Sequence, residues 1–232
     1  METIAQPLQN RSLDCCPTAH FDGPVRGSRH TLDVHFFLDF SNIAISASNI
    51  AVENGDGLFD QQLVRIHAGN LRQIAQRNRC WGSGFAAAGL VDQQSRIKNA
   101  FEKEGVSFEI CERGRITNRE QYVDQRIQLQ MHRLLRRPVE RGVVVLATGD
   151  GNRTADSDGF IETLATLNEY GFRIEVMSWR DSMNSNLRSW ASRFGRFIEL
   201  DDFYRDLTFV VGGRCATPQH ELGSKLIRKG II

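Results

Sequence analysis

The stretch that most constrains the fold is Val143–Ala147, VVVLA, an unbroken apolar run with no polar alternation. Successive side chains of a strand point to opposite faces of its sheet, so this strand must be covered on both sides. Strands of that kind sit in the middle of parallel sheets flanked by helices. The rest of the chain supplies the partners. Val34–Asp39, Gly84–Leu90, Val106–Cys111, Phe172–Met177 and Phe197–Leu200 read as further strands. Between them, helical spacing of apolar residues predicts helices over Phe59–Arg79, Gln93–Glu104, Arg119–Arg137, Phe160–Tyr170 and Asn184–Phe194. Gly105 and Gly171 stand where C-terminal caps belong, and Pro138 stops the third helix. The β-α-β-α order predicts an α/β protein: a single-domain parallel twisted sheet sandwiched by helices over residues 32–210. Residues 1–31, with three prolines and no periodicity, are expected to form a mobile N-terminal arm, and residues 211–232 a peripheral C-terminal tail.

Composition narrows the function classes. The 232 residues carry a formal net charge of +1, so nucleic-acid binding would need local clustering of arginine rather than a polycationic chain. Five scattered cysteines make neither a disulfide framework nor a zinc knuckle and point to a reducing compartment. No apolar run approaches the roughly 18–20 residues of a membrane span, and the first thirty residues lack the apolar core of a secretory signal. The expectation is an intracellular, soluble and cytoplasmic protein with no membrane partner. Whether it forms a homo-oligomer is left open.

Two strands end on an aspartate followed by small polar residues: HFFLDFSNIAI puts Asp39 and Asn42 after the first, and VVVLATGDGN puts Asp150 after the central one. Ligands of open α/β sheets bind at the carboxyl ends of the strands, so each Asp is either a helix cap or a cleft carboxylate. Glu120 and Asp124 sit four apart, on one face of the helix after the third strand. Asp124 there flanks the apolar stripe of Val123, Ile127, Met131 and Leu134. TADSDGF adds Asp156 and Asp158. Singly, each has a plainer reading: a cap, a first-turn charge favoured by the helix dipole, or a turn former. Jointly, Asp39, Asp124 and Asp150 would repel one another in a cleft unless a divalent cation or a proton lay between them. Oxygen ligands of this kind suit Mg²⁺ or Mn²⁺, and such an ion can drive displacement at a phosphodiester.

FFLDFSNIAI, REQYVDQRI, VVVLATGDGN…SDGF and LATLNEYGFRIEVMSW, taken in order, resemble the NYN domains, PIN-like nucleases. The resemblance runs from Val34 to Phe203 and rests on order and spacing rather than on one motif. It implies a flavodoxin-like sheet and a Mg²⁺- or Mn²⁺-dependent endoribonuclease that leaves a 5′-phosphate and a 3′-hydroxyl. It also implies site residues: Asp39 and Asn42 after the first strand, Asp124 on the helix and Asp150 in the GD turn, with Asp39, Asp124 and Asp150 holding the metal. The family's usual GDxDF is altered here. Asn152 stands at the second acid and DSDGF follows later, so the fourth carboxylate falls to Asp158, Asp156 or Glu120.

Arg113, Arg115, Arg119 and Arg153 lie on the same rim by the strand-end placement, and guanidinium forks match phosphate oxygens. They are the candidate contacts to single-stranded RNA, although each is equally readable as a solvated surface charge. Phe40 and Tyr122 are candidates to stack a base, an aromatic beside a strand end being more often core. Trp179 and Trp190 are assigned to packing. The competing function is a catalytically degraded NYN domain acting as an RNA-binding module, a reading the lengthened turn encourages. A von Willebrand A-type metal loop would need a hydroxyl where Ile43 stands. A haloacid dehalogenase phosphatase would need an acid where Ser41 stands.

Overall fold

Val143–Ala147 lies at the centre of a sheet, and its alternation divides the interior. Val143, Val145 and Ala147 enter one hydrophobic cluster while Val144 and Leu146 enter another. The computed structural model describes residues 32–57, 63–89, 94–111, 122–136, 141–149 and 159–228. In chain order the elements are β1 (Asp33–Asp39), α1 (Phe40–Asn49), a wide turn (Val52–Asp56), β2 (Val64–Ile66), α2 (Ala68–Gln76), β3 (Cys80–Ala88), α3 (Gln94–Lys103) and β4 (Ser107–Ile110). Then come α4 (Val123–Leu135), β5 (Val143–Ala147), α5 (Gly159–Glu169), β6 (Arg173–Ser178), α6 (Ser185–Phe194) and β7 (Arg196–Glu199). A 3₁₀ turn (Asp201–Phe203), α7 (Tyr204–Leu207), β8 (Thr208–Val210) and α8 (Gln219–Arg228) complete the order.

The main sheet has six strands in the order β4-β3-β1-β5-β6-β7, and every pairing in it is parallel. This is the α/β sandwich expected from the sequence. One cluster packs α1, α2, α3 and α8 against the sheet through Ile43, Leu71, Phe101 and Leu222. The other packs α4, α5 and α6 through Ile127, Leu164 and Leu187. The chain winds outward from β1 through β3 to β4, then returns to β1's other edge as β5. The winding therefore reverses between β1 and β5, the kind of place where open α/β sheets bind ligands at the carboxyl ends of their strands. Among the described residues no helix is long and apolar enough to cross a membrane.

Three local expectations change. The helix expected over Phe59–Arg79 is shorter. Among its described residues Val64–Ile66 is a strand with burial alternating along it, pairing antiparallel with β8 as a second, two-stranded sheet. Period-two burial of the β-branched Val64 and Ile66 outweighs the helical spacing of Leu63, Ile66, Leu71 and Ile74. Strand β3 begins at Cys80 rather than Gly84 because β1 pairs with it from Asp33 onward. The C-terminal stretch is less peripheral than expected, since α8 buries Leu222 and Leu226 completely in the first cluster. Gly105 and Gly171 do follow α3 and α5 with φ of 73° and 91°, a conformation costly for any other residue. The N-terminal arm lies outside the described residues.

Candidate active site

The carboxyl ends of β1, β5 and β6 are set by register. Leu38 pairs with Ala147 and Ala147 with Met177, and all three belong to the cluster under α1 and α2. The next residues, Asp39, Thr148 and Ser178, therefore turn to the opposite face, the side of α4. All three are buried, Asp39 at 5% exposure. The Thr148 hydroxyl donates to Asp39 Oδ2 at 3.2 Å.

Asp39 also caps α1. Its Oδ1 accepts from the Asn42 backbone N–H at 3.1 Å, satisfying one of the amides that a helix start leaves unpaired. Cap and cleft carboxylate are thus one residue, because each oxygen faces a different element. The rest of the first turn of α1 brackets the neighbouring strand ends. The Ser41 hydroxyl accepts from Gly89 N at 2.9 Å, just past β3. Asn42 Oδ1 accepts from Gly149 N at 2.8 Å, just past β5. Asn42 therefore holds the loop that leads to Asp150 rather than capping a helix.

Gly149 is where the crevice is tightest. A Cβ there would come within 2.6 Å of Asn42 Oδ1, 2.7 Å of the Ser182 carbonyl and 2.8 Å of Ser182 Oγ. The chain before α6 is pinned against this point, with Asn184 N donating to the Gly149 carbonyl at 2.9 Å. Asn184 then caps α6 through its side chain. The Ser178 and Ser182 hydroxyls are buried and have no hydrogen-bond partner among the described residues.

Asp124 stands in the first turn of α4, half-buried beside Val123. The helix buries Val123, Ile127, Met131 and Leu134, the stripe read from the sequence, and packs on β1 and β3. Arg126, two residues on, pairs with Glu109 at 3.0 Å. Glu120, Asp150, Asp156, Asp158, Arg113, Arg115, Arg119 and Arg153 lie outside the described residues. Phe40 is core, packed edge-on against Phe101 and Phe108 with ring centroids 5.5 Å away in each case. Tyr122 is 60% exposed. Trp179 is fully buried and donates its indole N–H to the Ile43 carbonyl at 2.9 Å.

Among the described residues no group of three or more His, Cys, Asp or Glu side chains is placed to hold a metal. The donors that do face the crevice, Asp39, Thr148, Ser178 and Ser182, are all oxygens, which fits a hard cation and not a thiolate or imidazole site. Ser41, Thr148, Gly149, Ser178 and Ser182 were not singled out from the sequence. Counting one residue past each strand would have found Thr148 and Ser178. No local signal marks Ser182.

No protein-family model, no curated protein and no solved structure matches this chain.

Proposed function

We propose that this chain is a divalent-metal-dependent endoribonuclease of the NYN kind, with its site in the crevice between the carboxyl ends of β1 and β5. The observation that carries the reading is Asp39: a carboxylate 5% exposed at the point where the sheet's winding reverses, aimed by an amide and a hydroxyl. Those two contacts fix the direction of both carboxylate oxygens. In this reading Asp39, Asp124 and Asp150 hold Mg²⁺ or Mn²⁺, with Glu120 or Asp158 as the fourth acid. Asn42 fixes the loop carrying Asp150, while Arg113, Arg115, Arg119 and Arg153 hold the phosphates of single-stranded RNA. The cation would supply Lewis-acid stabilisation of the charge that builds on the phosphate. The chain's own contribution is to place the carboxylates and to close one side of the crevice with Gly149 and Ser182.

The test is cleavage of end-labelled single-stranded RNA with Mn²⁺, Mg²⁺ or EDTA, with Asp39→Asn, Asp124→Asn and Asp150→Asn in parallel. Asparagine at position 39 keeps an oxygen for the Asn42 amide, so the fold should survive. Cutting should require the metal and fall by about a hundredfold or more in each variant, the scale of losing one transition-state charge contact. Cutting that persists in EDTA or in Asp39→Asn would sink the nuclease reading. RNA bound without cutting, indifferent to EDTA, would make the chain an RNA-binding module with a degraded site.

A further inference from the structure

Away from the crevice, α2, α3 and the β2–β8 ribbon enclose a cavity of about 700 Å³, within the usual range for small-molecule sites. Its floor is apolar, made by Ile66, Ile97, Phe101 and Phe209. Its rim carries Arg65, Arg96 and Lys103 against one carboxylate, Glu104, and that carboxylate pairs with Arg72 at 3.6 Å. Neither Arg96 nor Lys103 makes an ion pair among the described residues. Among the described residues Arg96 and Lys103 thus bring positive charge beside an apolar floor.

His67 adds a directed donor at the same wall. Its Nδ1 accepts from the Asn70 N–H at 3.1 Å as the cap of α2, so the ring proton sits on Nε2. Burial pushes its pKa below the ordinary histidine value, which keeps the ring neutral at pH 7 and fixes that tautomer. The ring also stands edge-on to Phe209, 6.5 Å between centroids. Ala68 and Gly69, the first residues of α2, line the cavity as well, and the amino end of a nine-residue helix favours negative charge.

We propose that this cavity binds a small amphipathic anion, an apolar or planar body that carries a single phosphate or carboxylate. The body lies on Ile66, Ile97, Phe101 and Phe209, and the anionic end meets Arg96 and Lys103. A neutral apolar ligand would leave the two cations unanswered. A compact inorganic anion would leave the floor wet. Only a molecule with both parts answers both halves of the lining. The site is independent of the nuclease reading, because it shares no residue with the carboxylate set.

The experiment titrates the full chain with anilinonaphthalene sulfonate, read by fluorescence, and with its neutral analogue phenylnaphthylamine. Two variants accompany the wild type: Ala100→Trp, which puts bulk into the cavity from an exposed helical position, and the double change Arg96→Glu with Lys103→Glu. The anionic probe should bind at one saturable site and the neutral one about tenfold more weakly. Each variant should weaken the anionic probe about tenfold or more with thermal unfolding unchanged. Displacement by adenosine monophosphate would make the natural ligand a nucleotide-like phosphate, and displacement by decanoate an acyl carboxylate. Equal binding of the two probes, indifference to both variants, or failure of both competitors to displace would overturn the proposal.

Discussion

Asp39 and Asp56 are both buried, at 5% and 2% exposure, yet they keep different company. Asp56 closes the wide turn after α1 and meets a guanidinium fork. Arg214 Nε donates to its Oδ1 at 3.0 Å and Arg214 Nη2 to its Oδ2. The Tyr204 hydroxyl donates to the same Oδ2 at 3.0 Å. Arg214 is itself tied to the Thr208 carbonyl at 2.6 Å and to the Thr208 hydroxyl at 2.7 Å. Hydrogen bonding from Arg214 outweighs burial and holds the Asp56 pKa below its ordinary value, while burial and Asp56 push the Tyr204 phenol up to about 12. Nearby, the buried Asp206 is matched by Lys225 and Thr217 in the same manner. These carboxylates are consumed in closing the chain on itself. Asp39 accepts an amide and a hydroxyl at the carboxyl end of β1; Ser178 and Ser182 carry buried hydroxyls with no partner among the described residues. A carboxylate answered by a matched cation serves stability. One at a sheet's switch point stands, in the proposed reading, where a cation would be held.

The largest effect should come from breaking the matched pair. Arg214→Met removes the cation and leaves Asp56 buried, which should cost about 3–5 kcal/mol in urea unfolding. On the proposed function, metal-dependent cleavage per folded molecule should stay near wild type, because the clasp shares no residue with the proposed site. A variant that folds as well as wild type, or that loses cleavage while folded, would erase the distinction between the two regions.

Gly149→Ala attacks the other side. The new methyl would meet Asn42 Oδ1 and both oxygens of Ser182 at under 3 Å, so the loop before α6 or the turn of α1 must shift. Overpacking of this kind costs about 1–3 kcal/mol, less than the clasp variant, but cleavage should collapse because Asn42 and Gly149 position the loop to Asp150. Full activity with unchanged stability would mean that the crevice is looser than its distances imply.

What the sequence revealed follows from how local each signal is. Strands β1, β5 and β6 and the stripe of α4 are carried by near-neighbour periodicity, and they stand where the periodicity put them. Asp39 was legible as a strand-end acid for the same reason. The β2–β8 ribbon was not, because each strand is three residues long and its partner lies far along the chain. The Asp56–Arg214 clasp joins residues 158 positions apart, so nothing near Asp56 distinguishes it from an ordinary turn acid in NGDG. Thr148 and Ser178 needed only a count one residue past each strand, whereas Ser182 needed the approach of a loop to Gly149. At the strand ends Asp39 was legible and the hydroxyls were not.

The finest test of the comparison is its pH dependence. A carboxylate whose folded pKa lies below its unfolded value adds stability that is complete above the ordinary value of 3.8 and is lost as the pH falls through the folded one. In wild type the Asp56 clasp therefore contributes fully at neutral pH and fades in acid. Arg214→Met deletes the first cause of that lowering and leaves burial, which raises the value, set against the Tyr204 hydrogen bond and the Arg205 charge, which lower it. The variant therefore loses most of the acid dependence that the clasp gives wild type. The stability gap between the two proteins should be full at pH 7 and close as the pH falls from the ordinary value of 3.8 through the lower folded one. Urea unfolding of both across that range measures the gap directly. A gap constant with pH would mean that Arg214 does not hold the Asp56 pKa down, and that the clasp stabilises by packing rather than by charge.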